Sequence, residues 1–248
     1  MPHPAQSKII KRLNSIGYKH TMAVLFSDMV EMLAIALHNN HPMTYSQELE
    51  DRYLAVVKKY DRKEIGEFQA IMGDLAMGLA ESFEDILGPV YMELEIGNAR
   101  AGQFFTPPAL SALISRLTMN SAVHEKIAEK GFVTISDPAG GSGGMVIAFV
   151  NDMNQEGIDY RRHLVATLCD IDLRAVHMAY IQLSLLGVPA VVVHGNSLSL
   201  EEHSHWATRT LVDGYWGKST EQLAQLIEPN ASPMPHAGED DVAQLAVN

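Results

Sequence analysis

A glycine-rich turn, Asp137 to Gly144, is the stretch of this sequence with the clearest chemical potential; it reads Asp-Pro-Ala-Gly-Gly-Ser-Gly-Gly. It follows a β-branched run, Val133 to Ile135, and leads into an apolar segment, Met145 to Val150. This order predicts a buried strand, a tight turn and a helix. Glycines allow positive φ and let a ligand approach where a Cβ would block it. A turn of this kind after the first strand of an α/β sheet is where such folds hold nucleotide-like ligands.

Strands and helices alternate around this turn. We predict strands at Val133–Asp137, Leu164–Asp170 and Ala190–His194, and helices at Gly143–Gln155 and Leu173–Leu186. Short connections between them predict right-handed crossovers and a parallel sheet. The second and third strands end in Asp170-Ile171-Asp172 and Gly195-Asn196-Ser197. The carboxyl ends of parallel strands share one edge of a sheet, so the three polar turns should line one crevice.

The residue types in these turns favour an adenosine ligand. A carboxylate directly after the second strand, Asp170, is placed to accept hydrogen bonds from ribose hydroxyls. Asn196 offers both a donor and an acceptor to the edge of a purine. No Lys-Ser or Lys-Thr follows the glycines, which argues against a triphosphate, and Asp-Pro-Ala occupies the start of what would be a dinucleotide turn. An adenosine group without a pyrophosphate fits better.

The first third of the chain has helical periodicity. Apolar residues recur at three- and four-residue steps over 20–38, 45–59 and 65–87. These segments predict an all-helical domain of three or four helices over residues 5–95. A break follows from Gly97 to Pro108, and Pro108 would start a helix running to Leu117. The two phenylalanines of this break either belong to a ligand loop or form a hydrophobic staple at the helix start.

Composition limits the classes of partner. The net charge of −12 is unfavourable for a protein that grips phosphate backbones, but residues 1–63 hold nine Lys and Arg against six Asp and Glu. Any direct DNA contact would therefore use this N-terminal part, although solvated helix faces explain the same charges. The single cysteine, Cys169, fits a reducing cytoplasm, where we place the protein. The longest apolar run, Leu183 to Val193, is too short to span a membrane.

Other side chains have simpler explanations. His203 and His205 are too weakly patterned for a metal site, and Trp206 is expected to pack against the sheet. Cys169 is expected in the core, and Asp172 as the cap of the helix that begins at Leu173.

The motifs resemble those of a known family. Gly102-Gln103-Phe104-Phe105-Thr106-Pro107, the Asp137–Gly144 turn, Asp170-Ile171-Asp172 and Gly195-Asn196-Ser197-Leu198 are similar to N-6 adenine-specific DNA methylases, in particular the modification (M) subunits of type I restriction-modification systems. The resemblance implies a helical N-terminal domain followed by part of the Rossmann-like parallel sheet of methyltransferases that use S-adenosylmethionine (SAM).

It also implies a role for each matching residue. Phe105, Thr106 and Pro107 would contact the methionine part of SAM, and Asp137, Ala139, Gly141 and Gly143 would line the methionine and ribose. Asp170 would hold the ribose hydroxyls, Ile171 would pack on the adenine, and Asn196 would bind the adenine edge. Two positions depart from the family pattern, because Gly140 stands where Cys is usual and Asn196 where Asp is usual.

A third departure concerns the target base. The family has an Asn-Pro-Pro-Phe/Tyr motif whose Asn and aromatic ring hold the flipped adenine, and neither Asn-Pro-Pro nor Asp-Pro-Pro occurs in these 248 residues. Three hypotheses follow: a SAM-dependent DNA methyltransferase, a non-catalytic SAM-binding partner or regulator, and a remnant that binds nothing. The catalytic residues are therefore not identified. The persistence of the glycine turn, Asp170 and the Phe105-Thr106-Pro107 loop argues against the remnant.

The resemblance and the periodicity together divide the chain into three parts. These are a helical domain at 1–96, a SAM-binding domain at 97–217, and a short helix with a disordered acidic tail at 218–248. The unpaired edges of a partial sheet predict a homo-oligomer or a hetero-complex.

Overall fold

The computed structural model describes residues 3–17, 19–94 and 105–214 and the backbone of 242–244. Within these residues it contains a five-stranded sheet: β1 Val133–Asp137, β2 Leu164–Asp170, β3 Ala190–Asn196, β4 Glu201–Ala207 and β5 Val242–Gln244. The strand order is β4-β3-β2-β1-β5. All neighbouring strands are parallel except β3 and β4, which pair antiparallel. The α/β class and the mostly parallel sheet that we predicted are confirmed.

Over residues 3–17 and 19–94, the helical N-terminal region has five helices: α1 Pro4–Ile16, α2 Met22–Asn39, α3 Gln47–Val57, α4 Arg62–Glu81 and α5 Leu87–Glu93. Their starts follow the capping rules. The side chains of Thr21, Ser46 and Asp61 accept hydrogen bonds from first-turn amides of α2, α3 and α4.

Among the described residues, six further helices flank the sheet: α6 Pro108–Thr118, α7 Ser121–Lys130, α8 Gly144–Gln155, α9 Tyr160–His163, α10 Leu173–Leu186 and α11 Arg209–Val212. Helices α8 and α10 are the crossovers that follow β1 and β2. The helical region packs on α10, mainly through α2, so that one continuous apolar core runs from the helices to the sheet. The helical region thus reaches the elements that carry the polar turns.

Helix α2 is long and apolar enough to span a membrane by length and composition. The sequence search for apolar runs did not single it out. A core helix passes the same test, and α2 has many fully buried side chains, among them Leu25, Phe26 and Met29. Its Asp28 accepts hydrogen bonds from Lys59 and Tyr60. These contacts are those of a core helix.

The structure differs from the sequence-based elements in several places. The predicted helix over 65–87 ends at Glu81, where Ser82 is extended, and a separate α5 begins at Leu87. The sequence did not reveal α7. The backbone of Val242–Gln244 pairs with β1, which differs from the disordered tail predicted there; the predicted helix near 222–228 lies outside the described residues.

Candidate functional site

A cavity of about 430 Å³ opens where β1, β2 and β3 end. This size falls in the range of roughly 300–1,000 Å³ that is usual for small-molecule sites. Its walls are the glycine turn, the turns after β2 and β3, and the loop before α6. The lining residues are Asp85, Phe105, Thr106, Asp137, Pro138, Ala139, Gly140, Gly141, Ser142, Gly144, Met145, Asp170, Ile171, Ala175, Gly195, Asn196, Ser197 and Leu198.

The first wall is the turn between β1 and α8. The Gly140 amide donates to the Cys169 carbonyl at 2.9 Å, and the Gly143 amide donates to the Gly140 carbonyl at 2.8 Å. Gly141 and Gly143 have φ of 53° and 87°, a left-handed backbone conformation that residues other than glycine rarely adopt. Gly143 begins α8 and packs closely against Ala179 of α10. The glycines therefore set the path of the turn and bring α8 close to α10.

Asp170, at the end of β2, joins two of these turns. Its Oδ2 accepts a hydrogen bond from the Gly141 amide at 2.9 Å, and its Oδ1 accepts one from the Asp172 amide at 2.9 Å. Burial is the largest influence on the pKa of this carboxyl and raises it, while the hydrogen bonds from the two amides lower it. The carboxylate as a whole can still accept a hydrogen bond from another donor, such as a hydroxyl.

Asp137, at the end of β1, is a second buried carboxyl in the wall and is 4% exposed. Its Oδ1 accepts a hydrogen bond from the Ala139 amide at 3.1 Å. Burial raises the pKa of Asp137 to about 6, helped by the nearby negative charge of Asp170. Asp137 and Asp170 therefore face one cavity, an arrangement that favours a ligand carrying positive charge and hydroxyl donors.

Phe105 closes the cavity over the glycine turn. A Cβ built on Gly141 would lie 2.8 Å from the Phe105 ring, so no larger residue fits between them. The ring also packs edge-on against Tyr91 of α5, with centroids 5.5 Å apart. Tyr91 in turn lies under the guanidinium of Arg174, which pairs with Asp172. The helical region thus holds the loop before α6 in place.

The opposite side of the cavity is apolar at its rim. Ile171 and Leu198 line the cavity and are 65% and 94% exposed. Covering these exposed apolar side chains with a ring is favourable, because it removes apolar surface from water. Between them, Asn196 accepts hydrogen bonds through Oδ1 from the amides of Leu198 at 3.0 Å and Ser199 at 3.3 Å. The side-chain NH2 of Asn196 is therefore the part of this side chain that can contact a ligand.

The structure gathers most of the predicted site residues. Those that line the cavity are Phe105, Thr106, Asp137, Ala139, Gly141, Asp170, Ile171 and Asn196. Pro107 and Gly143 do not: Pro107 precedes α6, and Gly143 supports the turn from behind. Gly102, Gln103 and Phe104 lie outside the described residues.

Sequence reasoning missed Asp85. This carboxyl lies between α4 and α5, lines the cavity and accepts a hydrogen bond from Ser142 in the glycine turn. Two adjacent acidic residues, Glu84 and Asp85, between Phe83 and Ile86 were the available signal. The segment was instead interpreted as one continuous helix.

Comparison with known families decides the assignment. A sequence model described as N-6 DNA Methylase matches residues 82–214, more than half of the chain. The chain belongs to this family. No curated protein sequence matches it. The match begins at the α4–α5 connection that carries Asp85 and ends after α11, so it contains every residue of the cavity.

Two solved structures are similar in part. One is described as a candidate class I S-adenosylmethionine-dependent methyltransferase from Listeria monocytogenes, with 15% identity, a TM-score of 0.46, and 78% of this chain and 54% of that chain covered. The other is the methyltransferase subunit of a type I restriction-modification system from Streptococcus thermophilus, with 15% identity, a TM-score of 0.32, and 75% and 56% covered. The chain thus spans little more than half of either protein.

Gly140 packs directly against a buried leucine of β2. A Cβ at this position would lie 2.9 Å from the Cβ and 3.0 Å from the Cδ2 of Leu168, which is fully buried on β2. The leucine fills the space that a side chain at residue 140 would need. The glycine is therefore matched to its neighbour on β2.

Several basic residues of the N-terminal part are engaged in ion pairs. Arg12 pairs with Glu67 and Asp74. Lys19 pairs with Asp61 and Glu64, and Lys59 pairs with Asp28. These pairs reduce the positive charge that the helical region offers to a phosphate backbone.

Proposed function

We propose that this member of the N-6 DNA methylase family binds SAM in the cavity at the ends of β1, β2 and β3. The observation that carries the proposal is Asp170, whose carboxylate joins the glycine turn to the turn after β2, lines the cavity and can accept further hydrogen bonds. The ribose hydroxyls would donate to these oxygens.

The other walls fit the rest of the donor. Asp137 would attract the methionyl ammonium, while Phe105 and Thr106 would cover the methionine. Ile171 and Leu198 would pack on the two faces of the adenine, because both are exposed apolar side chains at the cavity rim. The Asn196 amide group would donate to the adenine edge, since its oxygen is bonded within its own turn.

SAM supplies an activated methyl group, and we propose that the assembly containing this chain transfers it to adenine N6 in DNA. This chain would bind and orient the donor in that reaction and would act in a homo-oligomer or a hetero-complex in the cytoplasm. Light scattering tests the assembly, and a monodisperse monomer would contradict it.

The alternative is a non-catalytic SAM-binding partner or regulator of a methylation or restriction-modification system. It is favoured by the sequence, since no Asn-Pro-Pro is present among the 248 residues. Incubation with methyl-labelled SAM and mixed-sequence DNA separates the two roles. Label in DNA establishes transfer, and label retained on the protein without transfer favours the regulator. Label in neither the DNA nor the protein would contradict both.

A further inference from the structure

A buried carboxyl group of the helical region contacts the glycine turn. The Oδ2 atom of Asp85 accepts a hydrogen bond from the Ser142 hydroxyl. Its Oδ1 atom accepts hydrogen bonds from the Gly88 amide and from the Gln182 side chain, each at 2.9 Å. Three donors from three elements therefore converge on one side chain that is 9% exposed.

Gln182 of α10 completes this network and is fully buried. Its Nε2 donates to Asp85 and also to the Ser142 carbonyl at 2.9 Å. Its Oε1 accepts from the amides of Ile86 at 2.8 Å and Leu87 at 3.1 Å, at the start of α5, which has no side-chain cap of its own. The α4–α5 connection, the glycine turn and α10 are thus held by one set of hydrogen bonds.

The close approach of these elements depends on Gly88. A Cβ at this position would lie 2.2 Å from the Asp85 Oδ2 and 2.5 Å from the Ser142 Oγ. Any side chain there would separate the carboxyl from the turn. The packing at residue 88 is therefore fitted to the contact between Asp85 and Ser142.

We propose that Asp85 is a positioning residue that fixes, from the helical region, the conformation of the Gly140–Gly144 turn and so sets the affinity of the site for its methyl donor. The effect on affinity rests on the proposed function, whereas the effect on the turn does not. The helical region is then a structural part of the donor site.

The test uses the full chain with Asp85→Ala, Asp85→Asn and the control Asp28→Ala. Asp28 is a matched control because it is also a buried, hydrogen-bonded carboxyl of the helical region, bonded to Lys59 and Tyr60 instead of the turn. Asparagine at residue 85 can accept from Gly88 and Gln182 through its oxygen and donate to the Ser142 hydroxyl through its nitrogen.

Two readouts separate the turn from the ligand. The first is amide hydrogen exchange at Gly141 and Gly143 without ligand, and the second is the Kd for S-adenosylhomocysteine. In Asp85→Ala we expect exchange at these amides to be at least about tenfold faster and Kd to rise by about tenfold, because the turn loses buried hydrogen bonds. Asp85→Asn should restore both to within about threefold. Asp28→Ala should lower Tm and leave both readouts unchanged.

Unchanged exchange in Asp85→Ala, or equal changes in Asp28→Ala, would overturn the positioning role. If Asp85→Asn were as defective as Asp85→Ala, the negative charge and not the hydrogen bonds would matter, which also contradicts the proposal. Absence of binding by the unmodified chain would contradict the proposed function, and the exchange rates would still decide the role of Asp85.

Discussion

The Oδ2 atom of Asp170 lies 2.9 Å from the amide nitrogen of Gly141, so that the end of β2 is bonded directly to the turn after β1. Two residues 29 positions apart in sequence therefore form one wall of the cavity. The carboxylate both shapes the turn and faces the space where we place the ribose of the donor.

Replacement of Asp170 by alanine should abolish donor binding, because the Gly141 amide and the ribose hydroxyls lose their acceptor. Asp172→Ala is the matched control. Asp172 caps α10 by accepting a hydrogen bond from the Arg174 amide, as the sequence predicted. Its loss should lower stability by about 1 kcal/mol and weaken affinity far less than Asp170→Ala does, because Asp172 reaches the cavity only indirectly, through Arg174 and Tyr91. Calorimetry with S-adenosylhomocysteine checks both variants, and equal losses of affinity would contradict a ligand role specific to Asp170.

The affinity for SAM should depend on pH through Asp137. Burial raises the pKa of this carboxyl to about 6, so the carboxylate that would attract the methionyl ammonium is lost as the pH falls through that value. We expect Kd to rise below about pH 6 and Asp137→Asn to bind more weakly with a flatter pH profile. A wild-type Kd that stayed constant between about pH 5 and 7 would contradict this role.

The raised pKa of Asp137 affects the stability of the ligand-free protein in the opposite direction: lowering the pH weakens donor binding but stabilises the fold. The folded state takes up the proton of Asp137 at a higher pH than the unfolded chain, whose ordinary value is 3.8. The cost of burying this charge is therefore present above pH 6 and is relieved as the pH falls from about 6 toward 3.8.

His177 should make the protein less stable in acid. It is buried against Trp206, its Nε2 has no hydrogen-bond partner within the described residues, and burial lowers its pKa to about 3. Below an ordinary value of 6.5 the unfolded chain binds a proton that the folded state rejects, so stability is lost as the pH falls. His177→Phe keeps a ring in this position and should reduce the dependence of unfolding free energy on pH between about 6.5 and 5. If denaturant unfolding at several pH values gave the same dependence of unfolding free energy on pH for His177→Phe as for the wild type, this role would be contradicted.

The pairing of Gly140 with Leu168 predicts a compensating double mutant. Gly140→Ala should destabilise the fold by about 1–3 kcal/mol through overpacking against Leu168. Leu168→Ala alone should cost about 2–5 kcal/mol because it leaves a cavity. The double variant should be more stable than the sum of the two costs predicts, since the new methyl group enters the vacated space. Strict additivity in thermal or denaturant unfolding would show that the two positions do not share that space.

The three central strands could be predicted closely from sequence, and the reason is local, whereas β5 lies where a disordered tail was predicted. Strands β1 and β2 match the predicted bounds, and β3 extends its prediction by two residues to Asn196. Their apolar, β-branched runs end in Gly, Asp or Asn, and these same residues begin the polar turns. Helix α10 was also predicted with its observed bounds, because Asp172 and Gly187 mark its two ends.

Contacts between distant parts of the chain could not be predicted in this way. The partner of Asp85 on α10, Gln182, is 97 residues away, and no local pattern links them. The roles of Pro107 and Gly143 were inferred from resemblance, whereas neither lines the cavity: Pro107 is an exposed residue before α6, and Gly143 is the N-cap of α8. The break between α4 and α5 depends on the buried position of Asp85, which only the tertiary fold reveals.

Isothermal titration calorimetry of the purified, folded chain with SAM and with S-adenosylhomocysteine tests the central claim most directly. The account predicts saturable heat for both, with one site per chain, which is lost in Asp170→Ala and retained in Asp172→Ala. If neither compound gave heat at millimolar concentration, the assignment of the cavity as a site for the methyl donor would be contradicted.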